Sequence, residues 1–221
     1  MMSTIALGEL VLAGCMTLLC IITAHQVGWP VFEPKSLAIE FVGSTIFAWY
    51  MCLFADVGLH TLGHLRIKGN TMHTIHMSHH KVEYPCGNLL RPLPYRGGGG
   101  EKAFGPPVCL IWIAVFWLAP HKRVFMAIFV ESATFLFISD YLHMQYHVEN
   151  SWLEGHLGDW FIKRRLYHFH HHHRLRENMS LGGISTMVDR LFGTYWSEKN
   201  AEKTKDKFLC GGFQQRHVIS T

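Results

Sequence analysis

Residues 36–64 read SLAIEFVGSTIFAWYMCLFADVGLHTLGH, an apolar run from Ser36 to about Leu59, interrupted by Glu40 and Asp56, that ends in His60-x-x-x-His64. Wound as a helix at about 1.5 Å per residue, such a run is long enough to cross the ~30 Å hydrocarbon core of a bilayer. Histidines four apart share one helical face, one turn above the other. The stretch therefore predicts a membrane-length helix that carries two imidazoles at one end.

Three further apolar stretches share this character. Ile5 to Ala24, broken by Glu9, is read as a retained helix, because no basic residue precedes it and no clear small-residue cleavage site follows it. Pro107 to Ala119 is short for a full crossing. Val124 to Leu142 carries Glu131 and Asp140 and ends in His143-x-x-x-His147. Pro120 and His121-Lys122-Arg123 between the last two predict a tight helical hairpin.

Composition agrees. The 221 residues are 49% hydrophobic and 16% charged, against about 25% charged in an ordinary soluble domain. These values exclude a disordered chain and argue against a soluble globule. A net charge of +4 is too weak to indicate a nucleic-acid partner. Six scattered cysteines, none in CxxC, read as reduced core thiols. Gly97 to Gly100 lacks the Lys and Ser/Thr of a phosphate loop.

Of the 20 Lys and Arg residues, 6 fall in residues 60–105 and 11 in residues 148–221. The positive-inside rule puts both segments in the cytoplasm, and four crossings put them on one face. The expected fold is all-α and integral to the membrane, with about four transmembrane helices and a cytoplasmic helical cap. Residues 1–196 form the membrane-embedded domain, and residues 197–221 form a polar C-terminal tail.

The histidines, 17 in all, are clustered. His60 and His64 are followed by His76-x-x-His79-His80, then by His143 and His147, then by His168-x-x-His171-His172. Positions i, i+3 and i+4 share a helical face, so each cluster is expected to aim at one point, and all four are expected to meet where helix ends converge at the membrane surface. Ten imidazoles exceed what one zinc needs and suit two metal ions with four to six ligands each. Imidazole binds iron, zinc, copper and nickel alike, so ligand type does not name the metal. Asp56 and Asp140, four and three residues before His60 and His143, are expected to accept hydrogen bonds from ligand rings and fix their tautomers. His73 and His156 are candidates for a supporting role, and His170 and His173 alternate with the ligand face.

Four motifs, His60-Thr-Leu-Gly-His64, His76-Met-Ser-His79-His80-Lys81, Asp140-Tyr-Leu-His143-Met-Gln-Tyr-His147 and His168-Phe-His-His171-His172, resemble the fatty acid hydroxylase and sterol desaturase superfamily of integral-membrane, histidine-box di-metal oxygenases. Gly183-Ile-Ser-Thr-Met-Val-Asp189-Arg-Leu-Phe-Gly-Thr194 resembles its closing segment, so the likeness covers roughly residues 36–196. Pro85 and Asn88-Leu-Leu-Arg91-Pro-Leu-Pro94 look most like the fatty acid and ceramide 2-hydroxylases. The chain departs from the family in its four-residue run His170 to His173 and in Gly97 to Gly100, and no fused cytochrome b5-like domain is expected.

The resemblance implies a non-haem di-iron lipid hydroxylase that uses O2 and external electrons, with a sterol or carotenoid hydroxylase or desaturase as the alternative. Two iron ions are the expected cofactor, and zinc can replace iron at such nitrogen sites in purified protein. With no GxGxxG and no CxxCH, the electrons are expected from a separate cytochrome b5-like or ferredoxin-like protein; the basic surface that includes Lys163, Arg164 and Arg165 is expected either to dock that donor or to anchor anionic lipid headgroups. The substrate is expected to be a bilayer lipid oxidised near its polar end. The expected location is the cytoplasmic side of the endoplasmic reticulum membrane in a eukaryote, or of the inner membrane in a bacterium. Two other classes use the same histidines. A membrane di-zinc hydrolase would call for a general-base Glu, and HExxH is missing; a non-catalytic metal-binding carrier would place ligands mid-helix, not at helix ends.

Overall fold

The computed structural model describes residues 37–93, 105–118 and 122–196. Among these the chain is mostly helical, with no strand; Arg91 and Val148 form one isolated bridge. The helices are α1 (Leu37–His64), α2 (Thr71–Ser78), α3 (Gly105–Leu118), α4 (Lys122–Tyr146), α5 (Trp152–His173) and α6 (Met187–Phe192). A π-helical turn, His79–Glu83, follows α2 directly. The expected first apolar helix, the Gly97–Gly100 loop and the tail 197–221 lie outside the described residues.

Two helices are long and apolar enough to cross a membrane: Val42–His64 within α1 and Val124–Tyr146 within α4. Only 33% and 28% of their most apolar windows are buried among the described residues, whereas the core helix of a soluble protein is mostly buried. Their outward faces carry Val42, Ile46, Phe47, Phe54 and Phe137, all exposed. Four crossings were expected; the third stretch forms the 14-residue α3, about 21 Å long and too short for a full span by itself.

α1 and α4 run parallel. Trp49 packs edge-on against Phe135 at 5.7 Å, Thr45 lies beside Glu131 and Ser139 lies beside Asp56, so positions ascend together along both helices. α3 runs back against α4, because Trp112 Nε1 donates to Ser132 Oγ at 2.7 Å and Phe116 meets Phe125 at 5.1 Å. The hairpin read from Pro120 is therefore present. Parallel packing brings the C-terminal ends of α1 and α4, with their histidine pairs, to one level.

The cap is built over these ends. Asn70 caps α2 by accepting from His73 N at 3.2 Å. Ser151 caps α5 by accepting from Leu153 N, and Gly158 (φ 51°) breaks that helix after its second turn. Cys52, Leu53, Phe135, Leu142, Tyr146, Phe161 and Ile184 form the core between the long helices and the cap. The segment after α5 lies directly on α4. A Cβ on Gly182 would come within 2.7 Å of Ser139 Cα, and Tyr146 OH donates to Gly182 O at 2.7 Å. Of the cysteines in the described residues, Cys52 is buried as expected, but Cys86 and Cys109 are exposed; all three are free.

Candidate metal centre

The ten histidines of the four sequence clusters meet in two groups. The first is His60, His64, His76, His80 and His171; the second is His79, His143, His147, His168 and His172. Within each group the five candidate ligand atoms all lie within 4.8 Å of one another. The groups adjoin, with the His80 and His172 rings 4.2 Å apart. All but the half-buried His64 are buried.

One expectation is corrected. The HxxHH clusters do not each aim at one point. His76 and His80 serve the first group while His79 serves the second, and His168 and His172 serve the second while His171 serves the first. Neighbouring residues on a helix point about 100° apart, so only the i, i+4 pairs converge. Each group is thus two i, i+4 pairs plus one residue lent by the other group's helix. Gly63 makes room for this arrangement, because a Cβ there would sit 3.1 Å from the His76 ring.

The rings are oriented from behind. His60 Nδ1 lies 2.6 Å from Met179 O, His171 Nδ1 2.8 Å from Glu177 O, His147 Nδ1 2.8 Å from Leu89 O and His172 Nδ1 3.1 Å from Tyr84 O. A ring nitrogen facing a carbonyl must carry the proton, which leaves Nε2 as a bare lone pair. These Nε2 atoms point inward. His64 Nε2 stands 3.0 Å from His171 Nε2 and 3.0 Å from His76 Nε2, and His168 Nε2 stands 2.9 Å from His147 Nε2 and 3.1 Å from His172 Nε2. Lone pairs held this close repel unless a cation lies between them. Nitrogens bound at about 2.1 Å to one ion sit about 3 Å apart when adjacent. The residues therefore fit a metal ion in each group.

Burial, reinforced by the neighbouring imidazoles, holds His76, His80, His147, His168, His171 and His172 well below the usual imidazole value of 6.5. The neutral, ligating form is the folded form. Below pH 6.5 the unfolded chain takes up protons that the folded site refuses, so stability falls as pH drops through that value. Melting temperature and retained metal, followed from pH 7.5 to 5, are expected to fall together, most steeply below about 6.5.

The other sequence candidates divide. Asp56 does not bond the His60 ring; its carboxylate accepts from Ser180 Oγ and Leu181 N, both at 3.0 Å, and so holds the loop whose Met179 carbonyl orients His60. Asp140 acts on His143 through its charge, together with Glu83. His73 bonds Gly63 O at 3.0 Å, and His156 bonds Trp152 O; neither joins a group. His173 Nδ1 lies 3.3 Å from Cys86 Sγ. His25, His121 and His217 lie outside the described residues.

The basic docking face expected at Lys163, Arg164 and Arg165 is also corrected. Lys163 is exposed, but Arg164 and Arg165 are 2% and 1% exposed. Arg165 bonds Glu154, Gln145 O and Val148 O and thereby fixes the chain around His147. Amphipathic helix position, not charge, decided their fate.

Sequence reasoning missed several supports. Glu83 pairs with His79 Nδ1 at 3.4 Å, one turn on. It is the only acidic residue between positions 57 and 100, a signal that was available. Tyr84 stacks on His147 with centroids 3.8 Å apart. The loop 177–181 carried no signal at all, because its contribution is made by backbone carbonyls.

Comparison with known families, curated proteins and solved structures finds no match to this chain.

Proposed function

We propose that the chain is an integral-membrane di-iron enzyme that hydroxylates a C–H bond of a lipid, close to the polar end of a fatty acyl chain. The observation that carries this reading is the placement of ten neutral imidazoles, as two adjoining fives, at the common end of two membrane-length helices. His60, His64, His76, His80 and His171 would hold one ion, and His79, His143, His147, His168 and His172 the other. Two iron ions, when bound, supply the O2 chemistry, with the balance RH + O2 + 2 electrons + 2 protons giving ROH and H2O.

The chain's own residues do the rest. Met179, Glu177, Leu89 and Tyr84 carbonyls keep the proton on Nδ1 and the Nε2 lone pair facing inward. Tyr84 covers His147 and excludes water from that face. The apolar outer faces of α1 and α4 meet lipid tails, while Lys and Arg of the cap meet headgroups and cytoplasm. Ile5–Ala24 and the α3–α4 hairpin complete the four-crossing body in this reading. A lipid whose head stays at the level of the cap presents its first carbons to the histidine groups, and its mid-chain carbons lie too deep.

Lipid mass spectrometry of a host with and without the intact gene tests this. The expected result is a lipid class gaining one oxygen atom near its carboxyl or amide, together with lipid-dependent O2 uptake. A water-soluble substrate, or full activity in a strictly iron-free sample, would overturn the reading. Zinc found after purification would not, since zinc outcompetes ferrous iron for many nitrogen sites.

A further inference from the structure

His170 belongs to neither histidine group, yet it is buried and elaborately held. The Trp196 indole lies flat on its ring, with centroids 3.4 Å apart and planes 6° from parallel. Its Nε2 is 2.5 Å from Glu177 Oε2. The same Glu177 takes the Nδ1 proton of His171, a member of the first group, on its backbone carbonyl. Trp196 therefore connects to His171 by one stacked contact and then by either of two short routes, the 170–171 peptide link or Glu177. Nothing in the route crosses open space. The start of the route is accessible, because Trp196 is only half-buried.

Trp196 is also fixed in place. Its backbone N–H donates to Asn178 Oδ1 at 2.8 Å, and Asn178 N–H donates to Thr194 O at 2.8 Å. The surface around it is basic. Arg176 is exposed, Arg174 reaches Glu177 at 3.9 Å, and the Arg190 guanidinium lies over the neighbouring Tyr195 ring at 3.9 Å. The acid here, Glu177, is already engaged by His170, and Asp189 is buried in the fold.

We propose that Trp196 and His170 form the electron-entry port to the first histidine group, and that the Arg174, Arg176 and Arg190 surface docks a small acidic one-electron carrier protein. The inference rests on the oxygenase reading, which requires electrons from outside. Each encounter oxidises the carrier by one electron and reduces an ion in the site by one. Two encounters supply the electrons of one hydroxylation, and the two protons come from water. Stacked and bonded contacts transmit an electron far better than an equal gap through space, which makes this the favoured way in. Opposite charge on the carrier speeds encounter and fixes its orientation.

The test uses the soluble domain of a cytochrome b5, an acidic haem protein, as the probe. Titrated at low salt into metal-free full-length protein in detergent, it is expected to bind, with affinity falling as salt rises. The double variant Arg174→Glu/Arg176→Glu should bind about tenfold more weakly. With iron-loaded protein, oxidation of the reduced cytochrome, followed by haem absorbance, should slow by an order of magnitude in Trp196→Leu and recover in part in Trp196→Phe. The rate is read relative to reduction of the same sample by dithionite, which a merely structural defect would slow equally. Unchanged binding in the arginine double variant, or an unchanged rate ratio in Trp196→Leu, overturns the port. If iron-loaded wild type neither oxidises the cytochrome nor consumes O2 with dithionite and lipid, the oxygenase reading itself falls; if it does both, only the port is at stake.

Discussion

His171→Ala and His79→Ala are each expected to take metal content from about two ions per chain to fewer than one, whereas His64→Ala leaves about one. All three should lose activity. The difference comes from where the side chains are mounted. His171 serves the first group but sits on α5 between His168 and His172 of the second, and His79 serves the second but sits between His76 and His80 of the first. Removing His171 leaves His64, His76 and His80, and removing His79 leaves His147, His168 and His172, with inward lone pairs about 3 Å apart and without their cation. The resulting repulsion acts on a helical turn that also mounts ligands of the other group. His64 is half-buried at the end of α1, which mounts no histidine of the second group, so its truncation leaves the turns that carry ligands of both groups intact. Metal-to-protein ratios by plasma mass spectrometry on the three variants decide the matter, and equal loss in all three would contradict the crossed mounting.

Asp189→Ala should be the most destabilising single change in the cap. The Asp189 carboxylate is fully buried and accepts from Met179 N, Ser180 N, Thr194 Oγ1 and the Tyr167 hydroxyl. Each donor left unmet in the interior costs about 1–3 kcal/mol, so four approach the whole margin of ~5–15 kcal/mol that holds a domain together. The loop released also carries the Met179 carbonyl that orients His60. Little folded protein is expected, and what remains should have lost metal from the first group. Asp189→Asn keeps one acceptor oxygen and should fall between. Leu191→Ser, two residues on and on the exposed face of α6, should be near neutral. Thermal unfolding in detergent, with metal content measured on the same samples, checks the order.

Much of the site was legible because its information is local. Spacing of four identifies His60/His64 and His143/His147 as pairs, and the apolar runs before them identify the helices that carry them. Helical hydropathy does not reveal that α1 and α4 run parallel in contact; that depends on Thr45 finding Glu131 and Trp49 finding Phe135. The division of each HxxHH cluster between two groups was within reach of helical geometry, since adjacent residues diverge by about 100°. It was missed because i+3 and i+4 were treated as a single face. Arg164 and Arg165 misled because charge predicts exposure unless a buried partner is known, and the partners of Arg165 include the carbonyls of Gln145 and Val148, far along the chain. The carbonyls of Glu177 and Met179 left no trace in side-chain pattern.

The backing of the rings also makes the two groups electrically unlike. In the first, His60 and His171 lean on neutral carbonyls. In the second, His79 leans on the Glu83 carboxylate, and His143 feels Asp140 and Glu83 together. A divalent ion held by the first five would keep more of its charge and act as the stronger Lewis acid. An ion held by the second five would be partly neutralised from behind and would give up an electron more readily. Two ions of the same element would thus divide their labour, one as the stronger Lewis acid and one as the readier reductant, although five imidazoles face each of them.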